Sequence, residues 1–196
     1  MKKALAAFLL VLLVLPVAGC SRSRSRKPAP PRKFKEYEGV VLKRVKAERL
    51  AVIRVRDTIA RLPENFARLF RWFVVSQTEI RGFNTTIFFD DPSPLPRDDD
   101  TTPLTYLVAM PVPDDTLGAG EVKMFDLDAY TAACILHRGP YTGMGESYRR
   151  LKEWMAANGY ERGRFFREIY ISGPGPRDPV DPNKWLTEIQ IPVRRK

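Results

Sequence analysis

The chain has 196 residues, enough for one domain with its own core. Its formal charge of +10 suggests a nucleic-acid partner until the charges are placed: Lys2, Lys3, Arg22, Arg24, Arg26, Lys27, Arg32, Lys33 and Lys35 supply nine of them, leaving about +1 from Glu36 onward. A domain that grips phosphates carries its basic stripe on the fold itself, so no nucleic-acid partner is expected.

Lys2 and Lys3 precede an apolar run, Ala4 to Ala18, broken only by Pro16. At about 1.5 Å per residue it reaches roughly 22 Å, short of a bilayer-spanning helix, and it reads as the apolar part of a secretion signal. Its end, Leu15-Pro16-Val17-Ala18-Gly19-Cys20, resembles the lipobox of bacterial lipoproteins. The resemblance implies cleavage after Gly19 and lipidation of Cys20; the alternative is an ordinary signal peptide with an incidental cysteine. Residues 1–19 are then the signal peptide, and 20–36 a lipidated Cys20 with a basic, disordered tether. Each tether cation next to an anionic leaflet adds ~1 kcal/mol of attraction. The expected location is the cell envelope, lipid-anchored and facing the periplasm or exterior. Ser21, rather than Asp, after the cysteine resembles the outer-membrane sorting pattern for a source with two membranes. With Cys20 acylated, Cys134 has no partner for an intramolecular disulfide. It reads as a small buried hydrophobe within Ala132 to Leu136.

From residue 37 to 196 the sequence is written twice, about 38–113 and 120–196, at an offset of 81 residues. Ala51, Ile53 and Val55 fall on Ala132, Cys134 and Leu136; Phe70, Phe73 and Val74 fall on Leu151, Trp154 and Met155; Met110-Pro111-Val112 falls on Ile191-Pro192-Val193. Each copy reads strand, helix, strand, strand, with a further strand leading in (Val40 to Val45, Val122 to Leu127). The first helix, Leu62 to Gln77, presents Phe66, Leu69, Phe70, Phe73 and Val74 at helical spacing. The second, Met144 to Asn158, presents Tyr148, Leu151, Trp154 and Met155, and Gly159 stops it. A loop rich in Pro and Asp, Asp90 to Thr102, separates two strands of the first copy. The fold class is α+β: an antiparallel sheet, helices on one face, a pseudo-two-fold between halves and a ligand groove between them.

The last strand alternates. Trp185, Thr187, Ile189 and Ile191 project to one side, suited to a core under helices, and Leu186, Glu188 and Gln190 to the other. Together His137-Arg138-Gly139-Pro140-Tyr141, then Tyr148, Leu151 and Trp154, then Glu168-Ile169-Tyr170, then Thr187 to Val193 resemble the GyrI-like small-molecule-binding family, which also serves as the effector-binding domain of AraC- and MerR-type regulators. The resemblance covers roughly Val40 to the C-terminus, by motif in the second half and by pattern in the first. This chain departs from it at Ser172-Gly173-Pro174, where the family often has Asp-Pro. No helix-turn-helix precedes the domain; the tether takes its place, which argues against a transcription factor.

The resemblance implies a groove that binds small, often cationic and aromatic molecules, with a glutamate on the last strand at its floor, a position Glu188 occupies. The expected groove receives Ile87, Phe89 and Leu107 from the first half and Glu168, Tyr170, Glu188 and His137 from the second. A carboxylate there must be paired, protonated or waiting for a cation. Two readings of Glu188 stand: a ligand anchor, or an ion pair with Arg54. His137, the one histidine of the chain, makes neither a metal site nor a triad alone and leans structural. No metal or cofactor is expected. The main functional reading is a lipid-anchored binding protein for small amphipathic molecules. The alternatives are a hydrolase of strained, cyclopropanoid compounds using Glu188 to orient water, and an envelope protein-interaction module. A haem role borrowed from more distant relatives of the fold has only His137 behind it.

Overall fold

The 81-residue offset is kept by the elements themselves. In a computed structural model describing residues 34–174 and 181–196, the chain runs β1 (Val40–Val45), β2 (Glu48–Asp57), α1 (Leu62–Ser76), β3 (Asn84–Phe88), β4 (Leu104–Pro111), β5 (Lys123–Leu127), β6 (Tyr130–Arg138), α2 (Met144–Ala157), β7 (Tyr160–Arg162), β8 (Phe166–Ser172) and β9 (Leu186–Arg195). The expected signal peptide, Cys20 and the expected tether to residue 33 lie outside the described residues. One compact unit extends from Arg32 to Lys196.

The strands form one curled antiparallel sheet in the order β1-β6-β9-β8-β3-β4-β2-β5, with β7 added against the end of β9. The order is symmetric about the β8–β3 pair, where the two copies meet. The lead-in strands are exchanged: β1 pairs with β6 of the second copy, and β5 with β2 of the first. Each half is therefore completed by a strand from the other.

Both helices cover one face. Pro63 sits in the first turn of α1, where its missing N–H costs nothing. Gln77, left-handed at φ 52°, closes that helix, and Gly159 at φ 71° follows α2. The helix-side core joins Leu69 and Phe73 of α1, Tyr148 and Leu151 of α2, and Ile53, Tyr106, Val108, Ile135, Ile189 and Ile191 of the sheet. Leu62, Asn65, Leu69 and Phe73 are the buried positions of α1. Val74, expected inward, is 78% exposed, and Phe70 is exposed as well. Leu69 and Phe73 hold their expected places, and the buried stripe is turned from Phe70 and Val74 toward Leu62 and Asn65. Asn65 is accepted inside because its amide donates to Asp57 (2.9 Å) and to the Tyr106 hydroxyl (3.0 Å). A second, smaller cluster occupies the other face: Leu50, Val52, Ile87, Leu107, Ala109 and Leu127, flanked by Phe89, Phe125, Tyr130 and Phe165.

Candidate functional site

Residues opposite each other in an antiparallel pair share a face. Ile169, not Glu168, lies opposite Glu188, and Glu168 lies opposite Ile189 and Thr86. The expected groove residues therefore divide. Glu188, Ile87, Phe89 and Leu107 belong to the face away from the helices, whereas Glu168, Tyr170 and His137 belong to the face beneath them.

On the far face Glu188 is 2% exposed and already satisfied. Its carboxylate accepts from Lys43 Nζ (2.5 Å), the Tyr37 hydroxyl (3.1 Å) and Gln190 Nε2 (2.5 Å). The Lys43 ammonium lies 4.0 Å from the centre of the Tyr37 ring and 5.3 Å from that of Phe34. The last residues of the expected tether are thus folded onto the sheet, and Glu36 pairs with Arg138. Burial first, and then the Glu188 charge, push the Tyr37 hydroxyl well above its ordinary pKa. Glu188 is therefore compensated within the chain, and its ion-pair partner is Lys43 rather than the expected Arg54. The exchanged strand β1 carries Lys43 to the second half, whereas Arg54 sits on β2, four strands from β9, with its guanidinium 5.0 Å from the Phe89 ring centre. Ile87 and Leu107 are buried in the second cluster rather than lining a groove, and Phe89 lies at its edge. Cys134 shares this face. Burial, followed by the Glu188 charge, pushes its thiol up to about 12, which makes it inert.

On the helix side the same residue types build a hollow. Glu168 is fully buried (0% exposed). Its Oε1 accepts from the Tyr148 hydroxyl (2.8 Å) and Arg97 Nη2 (2.7 Å), and its Oε2 from the Tyr170 hydroxyl (2.7 Å) and Arg97 Nη1 (3.0 Å). Burial, then the adjacent carboxylate, hold both phenols far above their usual range. Burial works against the charge on Arg97, but Glu168 outweighs it and raises the guanidinium overall.

Arg97 comes from the long loop between β3 and β4. That loop is strapped to α2 by Lys152, which donates to Asp91 and Ser93 (2.6 Å each), and to the start of α1 by Ala60 N–H to Asp99 O (3.2 Å). Asp99 closes its own turn by accepting from Thr101. Asp99 is the far anchor of this strap, and Asp98 and Asp100 on either side of it are exposed.

Beside the Arg97–Glu168 pair lies a cavity of about 370 Å³ lined by α1 (Leu62, Phe66, Ala67, Phe70), by Arg97, by Tyr141 and by Tyr170 through Pro174. Its wall is aromatic: Phe66 and Tyr170 meet edge-to-face at 5.8 Å, and Tyr141 lies 5.6 Å from Tyr170 and 5.1 Å from Trp185. A Cβ on Gly173 would meet the Tyr141 hydroxyl, so a larger residue here must displace that ring. A hollow of a few hundred Å³, mostly apolar with a few convergent polar groups, is the general form of a small-molecule site.

His137 stands behind this wall as a structural group. Its Nε2–H donates to Pro140 O (3.0 Å), and Nδ1 accepts from the Ser147 hydroxyl (2.9 Å). Burial lowers its pKa, and both ring nitrogens are occupied. Among the described residues no group of three or more His, Cys, Asp or Glu side chains is arranged to hold a metal ion.

Comparison with known proteins agrees with this architecture. The model of the GyrI-like small molecule binding domain matches residues 86–194. No curated protein matches the chain by sequence. Among solved structures, EcmrR in a DNA complex superposes with a TM-score of 0.69 at 21% identity over 80% of this chain; the match spans only 57% of the EcmrR chain. The EcmrR C-terminal domain alone gives 0.62 at 22% identity, over 80% of this chain and 98% of that one. A hydrolase from Listeria innocua gives 0.59 at 13% identity over 80% of this chain and 92% of that one. SAV2435, bound to tetraphenylphosphonium, gives 0.54 at 13% identity over 79% and 93%.

Proposed function

Since the chain belongs to the GyrI-like small-molecule-binding family, we propose that it is a lipid-anchored envelope protein that binds small amphipathic, aromatic molecules in the cavity between α1 and β8. The observation that carries this reading is the aromatic hollow of Phe66, Tyr141 and Tyr170, set against a buried polar pair. The capture of tetraphenylphosphonium by a protein of the same fold is consistent with an aromatic ligand. The anchor rests on the sequence, in which Ala18-Gly19-Cys20 ends an apolar run and a basic stretch follows. The expectation of a cation rested on the family resemblance and on an uncompensated carboxylate. Glu168 and Glu188 are both paired, which removes the second ground, while tetraphenylphosphonium, held by a protein of the same fold, is itself a cation. A hydrolytic role needs a carboxylate free to orient water, and both glutamates have their oxygens engaged by neighbouring donors.

A thermal-shift screen of aromatic amphiphiles tests the binding site. A ligand at 100 times its Kd stabilises by ~2.7 kcal/mol. Ala67→Trp, on the exposed side of α1 but lining the hollow, should fold normally and lose that response. An unchanged response would move the site elsewhere. For the anchor, Cys20→Ser should abolish incorporation of labelled fatty acid; continued incorporation would refute it.

A further inference from the structure

Glu168, the buried carboxylate behind the cavity wall of Arg97 and Tyr170, already holds a cation, and that cation is part of the chain. An ionised carboxylate offers about four acceptor positions. On Glu168 all are occupied: two by phenol hydroxyls, two by the Arg97 guanidinium. A cationic ligand could reach this group only by expelling Arg97. The exchange would replace one charge by another with no gain in pairing. Arg97 also competes from a short tether, since its loop is fixed to α2 and to the start of α1 on either side of it, and a tethered group acts at high effective concentration.

The groups turned toward the hollow point the same way. The Tyr170 and Tyr148 hydroxyls are committed to Glu168, so Tyr170 offers the cavity its ring. A guanidinium carries five N–H donors and no acceptor. Two of Arg97's are on Glu168, and the same side chain lines the cavity. The charged group that lines the hollow is therefore a donor, the Arg97 guanidinium, while Asn84, Tyr141 and Ser172 add neutral polar groups to the same wall. Resting on the reading that this cavity is the binding site, we infer that Arg97 fixes the ligand class: aromatic molecules carrying a hydrogen-bond acceptor, uncharged or anionic, and not cations. Glu168 then acts as the residue that positions Arg97.

Three probes of one ring size test this: 2-naphthylmethanol, 2-naphthoate and 2-naphthylmethylammonium, titrated calorimetrically at neutral pH into the Arg32–Lys196 unit, which contains its own core. The unsubstituted protein should bind the alcohol and the carboxylate at least about tenfold tighter than the ammonium. Arg97→Met should reverse the order by freeing the carboxylate. The double variant Arg97→Met, Glu168→Gln, with a neutral floor, should rank the probes without regard to charge. If Arg97→Met does not fold, the contrast between the unsubstituted protein and the double variant still decides. Equal or tighter binding of the ammonium by the unsubstituted protein overturns the inference and leaves the cavity as the site. The same charge ranking in the double variant also overturns it. Failure of all three probes to bind any of these proteins overturns the cavity reading itself, and this inference with it.

Discussion

Arg97 closes on Glu168 through two parallel hydrogen bonds of 2.7 and 3.0 Å, joining residues 71 positions apart and bringing a loop of the first copy over a strand of the second. Paired this way, a fully buried carboxylate is tolerable; stripped of the arginine it would be a charge without compensation. Breaking such a pair by removing one partner costs ~3–5 kcal/mol, whereas replacing both by neutral groups is often close to neutral. Glu168→Gln is expected to lower stability by that amount, and the double variant Arg97→Met, Glu168→Gln to recover most of it. Urea unfolding of the three proteins checks this.

The pair on the opposite face behaves alike for stability and differently for binding. Lys43→Met leaves Glu188 with only Tyr37 and Gln190 and should cost ~3 kcal/mol or more. It should also loosen the docking of residues 34–38, seen as faster amide exchange at the start of β1. Ligand affinity, measured by calorimetry, should stay unchanged, because Glu188 and the cavity lie on different sides of the sheet.

Gly173→Ala is a narrower probe. Its methyl group meets the Tyr141 hydroxyl and must push that ring aside. The cavity wall changes shape while the core is untouched, so ligand affinity should fall about tenfold with a stability loss below ~1 kcal/mol. Calorimetry and thermal unfolding on the one variant separate the two effects.

His137 gives the protein an acid limb. Burial holds its folded pKa below the unfolded value of about 6.5. In the window just below the unfolded value the unfolded chain binds the extra proton. The stability this group contributes is therefore present above about pH 6.5 and is lost as pH falls through the folded pKa, at a slope of at most ~1.4 kcal/mol per pH unit. His137→Gln should flatten the decline between neutral and mildly acidic pH. Urea midpoints across that range test the sign; a decline as steep as in the unsubstituted protein would assign it to the carboxylates.

Much of this fold could be read from the sequence because periodicity and duplication survive without knowledge of contacts. Alternation along β9 placed Ile189 and Ile191 under the helices and Glu188 and Gln190 on the other side, as the core cluster and the Lys43 contact show. The phase between strands could not be read. Nothing in Arg167 to Ser172 says whether Glu168 or Ile169 stands opposite Glu188, and a slip of one residue exchanges the faces. Arg97 and Lys43 were out of reach for a related reason. One arrives on a loop of Pro and Asp with no local period; the other arrives on a strand exchanged between halves. On α1 the apolar residues outnumber the buried positions, because Phe66 and Phe70 face the hollow and the core takes Asn65 instead. Beside the family resemblance, the excess of apolar side chains on that helix is the signal of a cavity that the sequence carries.

The most direct measurement is the structure of the complex with 2-naphthylmethanol. The ring should lie between Phe66, Tyr141 and Tyr170, with the Arg97–Glu168 pair intact and the alcohol oxygen accepting from the guanidinium. A ring found instead beside Glu188 on the opposite face, or one in the cavity with Arg97 swung away from Glu168, would contradict it.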